Sequence, residues 1–82
     1  MNPDTPTTAE TVARIVAELL DLPRVPEPTE ALDSLGADSI DLVELSMIAE
    51  EEFGIDLGDA DLADVLTVSD LADLCDKARG VA

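Results

Sequence analysis

Ser39 stands in the stretch LGADSIDLVEL, residues 35–45, with Asp38 before it and Asp41 two positions after it. A serine hydroxyl attacks a substrate only when a base nearby takes its proton. The chain has no histidine, and Lys77 is its only lysine. The adjacent carboxylates would oppose an oxyanion, so a serine hydrolase is disfavoured. Two other roles remain. Ser39 is either a helix N-cap or first-turn residue whose hydroxyl meets free backbone N–H groups, or a site that another enzyme modifies. A phosphate ester there would meet the positive end of a helix dipole. The flanking aspartates would repel it, so they suit contacts with a partner, or with a metal ion that the partner brings.

Other reactive residues offer less. Cys75 is the single cysteine, so no internal disulfide forms. It falls on the apolar face of the last helical pattern and reads as a buried, inert thiol. Asp56, Asp59 and Asp61 raise the question of a calcium loop. That loop needs aspartates at alternating positions and a glutamate at the twelfth. The twelfth residue is Thr67 counting from Asp56 and Asp70 counting from Asp59, so the pattern fails and no metal site is expected.

The chain of 82 residues carries 20 acidic and 4 basic residues, for a net charge of -16. Such charge favours solubility and repels phosphates, which argues against nucleic acid and anionic membranes. It calls for a partner with a basic patch. Apolar residues make up 46% of the chain, enough for a core, and Phe53 is the only aromatic one. No apolar run approaches a membrane span, and the N-terminus lacks a signal-peptide pattern. A soluble, monomeric, cytoplasmic protein is expected.

The elements that must position Ser39 are helical. Residues 1–6 read as a flexible tail and 7–82 as one domain. Thr7 with Glu10 offers a capping box, and Val12, Ile15, Val16, Leu19 and Leu20 keep helical spacing, which predicts a first helix over 8–20. Pro23 stops it. The loop over 21–38 is long for a compact domain, and Leu22, Val25, Leu32 and Leu35 are expected to pin it to the core. A second helix spans 39–53 with Gly54 as its C-terminal cap. A short helix is expected near 60–65. The last helix opens at Thr67–Asp70 and ends with Lys77, Arg79 and Gly80. The sum is an all-α, small four-helix bundle: three main helices, one short one and a long first loop.

The second helix carries two apolar stripes. Leu42, Leu45, Ala49 and Phe53 form one; Ile40, Val43 and Met47 form the other, bordered by Glu44 and Glu51, with Asp41, Glu50 and Glu52 adding charge nearby. One stripe packs the bundle. The second is either buried by the long loop or offered to a partner, with an apolar centre and a charged rim.

The run LGADSIDLVELSMIAEEEFGIDL resembles the signature of the acyl carrier proteins: Gly-x-Asp-Ser-Leu followed by an acidic, apolar-striped helix. Ile40 replaces the usual leucine. The similarity extends from the first helix to the last. It implies a non-catalytic carrier, a phosphoprotein whose Ser39 is esterified with 4'-phosphopantetheine by a phosphopantetheinyl transferase using coenzyme A and magnesium. The thiol of that arm holds cargo as a thioester. The resemblance further implies that Asp38, Ile40, Asp41, Val43, Glu44, Met47, Glu50 and Glu51 bind partners. Those partners are a ketosynthase, an acyltransferase and other synthase enzymes with basic docking patches, serving fatty acid or polyketide biosynthesis. An aminoacyl or peptidyl carrier, and an acidic adaptor that carries nothing, remain open. Asp33-Ser34-Leu35 matches the motif more literally, but no helical run follows it, so Ser34 is expected to be a loop or turn residue.

Overall fold

The computed structural model describes residues 7–58 and 62–80. The tail over residues 1–6, Asp59 and Asp61 of the acidic connection, and the start of the short helix near 60 lie outside the described residues.

Three helices and two single 3-10 turns make up the described chain: α1 (Thr8–Leu19), a turn at Asp33–Leu35, α2 (Ser39–Phe53), a turn at Leu62–Asp64 and α3 (Val68–Arg79). The fourth, short element is thus the turn at Leu62–Asp64. Each helix starts with a reciprocal capping box, in which the N-cap side chain accepts from the third helical N–H while that residue's carboxylate accepts from the N-cap N–H. The pairs are Thr7 with Glu10, Asp38 with Asp41, and Thr67 with Asp70. After Leu19 the chain leaves α1 through Asp21, whose φ of 54° is left-handed, and the Leu22 N–H donates to the Ala17 carbonyl at 2.9 Å. Gly54, at φ 65°, ends α2 in the conformation that a residue without a Cβ adopts most easily.

The core is aliphatic. Val12, Ile15 and Val16 of α1 meet Leu45 and Ala49 of α2 and Val68, Leu71, Ala72 and Cys75 of α3, with Leu32, Leu57 and Val65 closing it from the connections. Burying one such Leu or Val side chain stabilises the fold by about 1.5–3 kcal/mol.

The long loop is held by its backbone as much as by its side chains. Leu32 N–H donates to the Leu66 carbonyl at 2.9 Å, and Val68 and Ser69 N–H groups donate to the Glu30 and Pro28 carbonyls at 3.3 and 2.8 Å. These bonds surround an antiparallel bridge between Ala31 and Thr67. Arg24 grips both carboxylate oxygens of Glu30 at 2.7 Å, and Glu30 also accepts the Glu27 N–H. Leu32 is buried, and Leu22 and Leu35 pack against the core, as expected. Val25 departs from expectation. It is 56% exposed, and the neighbouring Pro26 is buried in its place. Pro26 has no N–H that burial would leave unpaired, so it enters the interior at lower cost than an ordinary residue.

Candidate functional site at the start of α2

The approach to Ser39 is built by the 3-10 turn. Gly36, at φ 97°, reverses the chain, and its N–H bonds the Asp33 carbonyl at 3.1 Å. Ala37 N–H then bonds the Leu32 carbonyl at 3.1 Å, tying the entry to a buried residue. Asp38 follows in extended backbone as the N-cap. Its Oδ1 accepts the Asp41 N–H at 2.8 Å, and Asp41 Oδ2 accepts the Asp38 N–H at 3.1 Å.

This box decides between the two structural roles open to Ser39. Asp38 is the cap, and Ser39 is the first helical residue. Its side chain is exposed and its hydroxyl makes no hydrogen bond. Fold maintenance therefore makes no use of the hydroxyl. Beside it lies a shallow groove of about 360 Å³, walled by Leu32, Ala37, Leu42, Val65 and Leu66. Leu66, 66% exposed, forms the far rim. Its place there was not foreseen: in the sequence it reads only as a residue before the Thr67 cap, and its backbone bond to Leu32 is what carries it across. Ser34 lies in the 3-10 turn, with no helix following directly.

The chain supplies no base or thiol for chemistry at Ser39. Burial, reinforced by Asp76, pushes the Cys75 thiol up to about 11, so it stays protonated at neutral pH. All three arginines are engaged with carboxylates: Arg14 with Glu18 and Glu52, Arg24 with Glu30, and Arg79 with Asp76. Arg79 also lies over the Phe53 ring, 5.1 Å from its centroid. Among the described residues no three His, Cys, Asp or Glu side chains converge as a metal site.

Along α2 the two stripes separate as their spacing requires. Leu45 and Ala49 are buried, with Leu42 and Phe53 packed at the core's edge. Ile40, Val43 and Met47 are 69%, 50% and 57% exposed. Burial of the second stripe by the long loop is therefore ruled out. Asp38 and Asp41 border it at the N-terminal end, where the helix dipole favours their charge. Glu44 and Glu51 are exposed further along. Glu50 behaves differently from the reading of it as a purely outward contact: it is half-buried, and its Oε2 accepts the Leu57 N–H at 2.7 Å.

A family model described as phosphopantetheine attachment site matches residues 10–75. The chain belongs to that family. Its cofactor is 4'-phosphopantetheine, attached covalently. Carrier domains of this family are non-catalytic, are modified by a phosphopantetheinyl transferase and interact with synthase enzymes. The site at the start of α2 fits such a group. The exposed, unbonded hydroxyl of Ser39 can be esterified without breaking a cap, the first N–H groups of a helix suit a phosphate, and the groove leaves room beside it.

Proposed function

We propose that Ser39 is the attachment residue, and that the chain is a discrete carrier of acyl intermediates for fatty acid or polyketide synthesis. The observation that carries this reading is the hydroxyl of Ser39: exposed, outside the capping box, and at the head of a helix whose outer face is apolar. When bound, the phosphopantetheine supplies a terminal thiol on which cargo is held as a thioester.

The chain's own residues do the rest. Asp38 and Asp41 fix the first turn and so fix where the Ser39 oxygen points. Gly36 and the bond from Ala37 to Leu32 set the entry of the chain. Ile40, Val43 and Met47 give a partner its apolar contact, and Asp38, Asp41, Glu44, Glu50 and Glu51 border that contact with negative charge. A basic partner is steered to this face by a net charge of -16. With no base of its own, the chain relies on an outside transferase for loading. We place it in the cytoplasm as a monomer, residues 7–82 forming one unit. Among the described residues no helix is long and apolar enough to cross a membrane.

The high charge of the exposed helix favours acyl over aminoacyl cargo. Two measurements test this reading. Incubation with a broad-specificity transferase and coenzyme A should add one phosphopantetheine to the intact mass; a purely adaptor protein would gain none. The group released by thioester cleavage from protein purified from its native host should be an acyl chain, and an amino acid there would reassign the carrier to peptide synthesis.

A further inference from the structure

The carboxylates of the outer face differ in what already holds them. Asp38 and Asp41 bond each other's backbone N–H groups. Glu50 accepts the Leu57 N–H. Glu52 pairs with Arg14 at 2.9 Å. Glu44 and Glu51 alone on α2 have no hydrogen bond and no ion pair. Glu51 is also poorly placed for the helix itself. It lies in the final turn, where the dipole disfavours a negative charge and α2 has no basic residue. A local rule broken with no internal compensation is a feature expected of functional positions.

The two free carboxylates share one surface feature. They line a depression of about 440 Å³ with Met47, Ile48 and Glu50. Glu51 follows Glu44 by seven residues, which at the rise of a helix is roughly 10 Å along the axis. Met47 lies between them and is exposed. An adaptable thioether at the centre accommodates an incoming apolar group.

We infer that this depression takes an apolar side chain from a partner protein, flanked by two cationic side chains roughly 10 Å apart that pair with Glu44 and Glu51. Charge selects that occupant over a second copy of this chain, since two bodies of net charge -16 repel. The inference rests on the carrier reading and refines it: within the docking face, Glu44 and Glu51 read the partner's charges, while Asp38, Asp41 and Glu50 chiefly hold α2 and the residues around it.

Loading of the apo-protein by a broad-specificity phosphopantetheinyl transferase tests this. The reaction is followed at low salt by intact mass over a range of carrier concentrations. The double variant Glu44→Gln/Glu51→Gln should raise the KM for the carrier about fivefold, the scale of two exposed ion pairs, with kcat unchanged. Its melting temperature should not fall, because neither carboxylate holds any part of the fold. Glu52→Gln removes one charge from the same helix and should leave KM unaltered. An unaltered KM in the double variant, or an equal rise in Glu52→Gln, overturns the inference while loading itself still upholds the carrier reading. If the wild-type protein gains no phosphopantetheine, both fall together.

Discussion

Asp38 and Asp41 hold each other's backbone N–H groups across the first turn of α2, at 3.1 and 2.8 Å, and the Ser39 hydroxyl within that turn is left without a bond. The division of labour has a thermodynamic signature. Asp38→Ala should destabilise the protein by about 1 kcal/mol, the usual cost of losing an N-cap. Ser39→Ala should change stability by no more than about 0.5 kcal/mol, as for a surface substitution that removes no bond. Urea unfolding of the two variants checks the pair. A larger loss in Ser39→Ala than in Asp38→Ala would return the capping role to the serine.

Glu50 is expected to act on the fold as well as on partners. Its carboxylate is the acceptor for the N–H of Leu57, a buried core residue just beyond the Gly54 cap. Glu50→Ala should cost about 1–2 kcal/mol, the scale for a charge-assisted bond whose donor is left part-buried. Amide exchange at Leu57 should quicken in the same variant. Unchanged exchange there would show that the bond does not hold the segment.

The clasp on the long loop should respond to acid. Glu30 is lowered from 4.5 to about 2, first by its bond with Arg24 and then by the Glu27 N–H. Because the folded value is the depressed one, the clasp's contribution is complete above pH 4.5 and is lost as pH falls towards 2. Asp70, lowered mainly by the Leu66 and Thr67 N–H groups, acts in the same direction. Relief of self-repulsion as other carboxylates protonate opposes both effects. Comparing variants isolates the clasp: Glu30→Gln should be less stable than the wild type at neutral pH, and the gap should close by pH 2. A gap that stays constant across that range would contradict the assignment.

The two stripes of α2 should separate by mutation. Leu45→Ala removes a fully buried side chain and should cost about 2–5 kcal/mol. Met47→Glu and Val43→Glu alter exposed positions and should change stability by no more than about 0.5 kcal/mol, yet they should impair turnover by partner enzymes. Docking of the wild type should also weaken with added salt, since exposed charges are screened. Unfolding of Met47→Glu would place that residue in the core and remove the docking face.

Most of this architecture was legible in local spacing. The capping boxes at Thr7 and Thr67 follow from residues three apart, and the stripe of Ile40, Val43 and Met47 follows from helical periodicity alone. What was not legible depends on contacts between distant segments. Val25 and Pro26 compete to face the core, and only the loop's path decides between them. Glu44, Glu50, Glu51 and Glu52 look alike along the chain, and they diverge only because Leu57 and Arg14 reach two of them. The cap at Asp38 lies between these cases. Ser39 and Asp38 are both good N-caps, and the reciprocal bond with Asp41 favours the aspartate.

The central claim is a single attachment point, and mapping the modification by peptide mass tests it most directly. The protein is loaded with a phosphopantetheinyl transferase and coenzyme A, digested, and compared with Ser39→Ala and Ser34→Ala. One phosphopantetheine is predicted on the peptide containing Ser39, absent in Ser39→Ala and undiminished in Ser34→Ala. Attachment at Ser34 or at any other residue, or loading that persists in Ser39→Ala, would contradict the account.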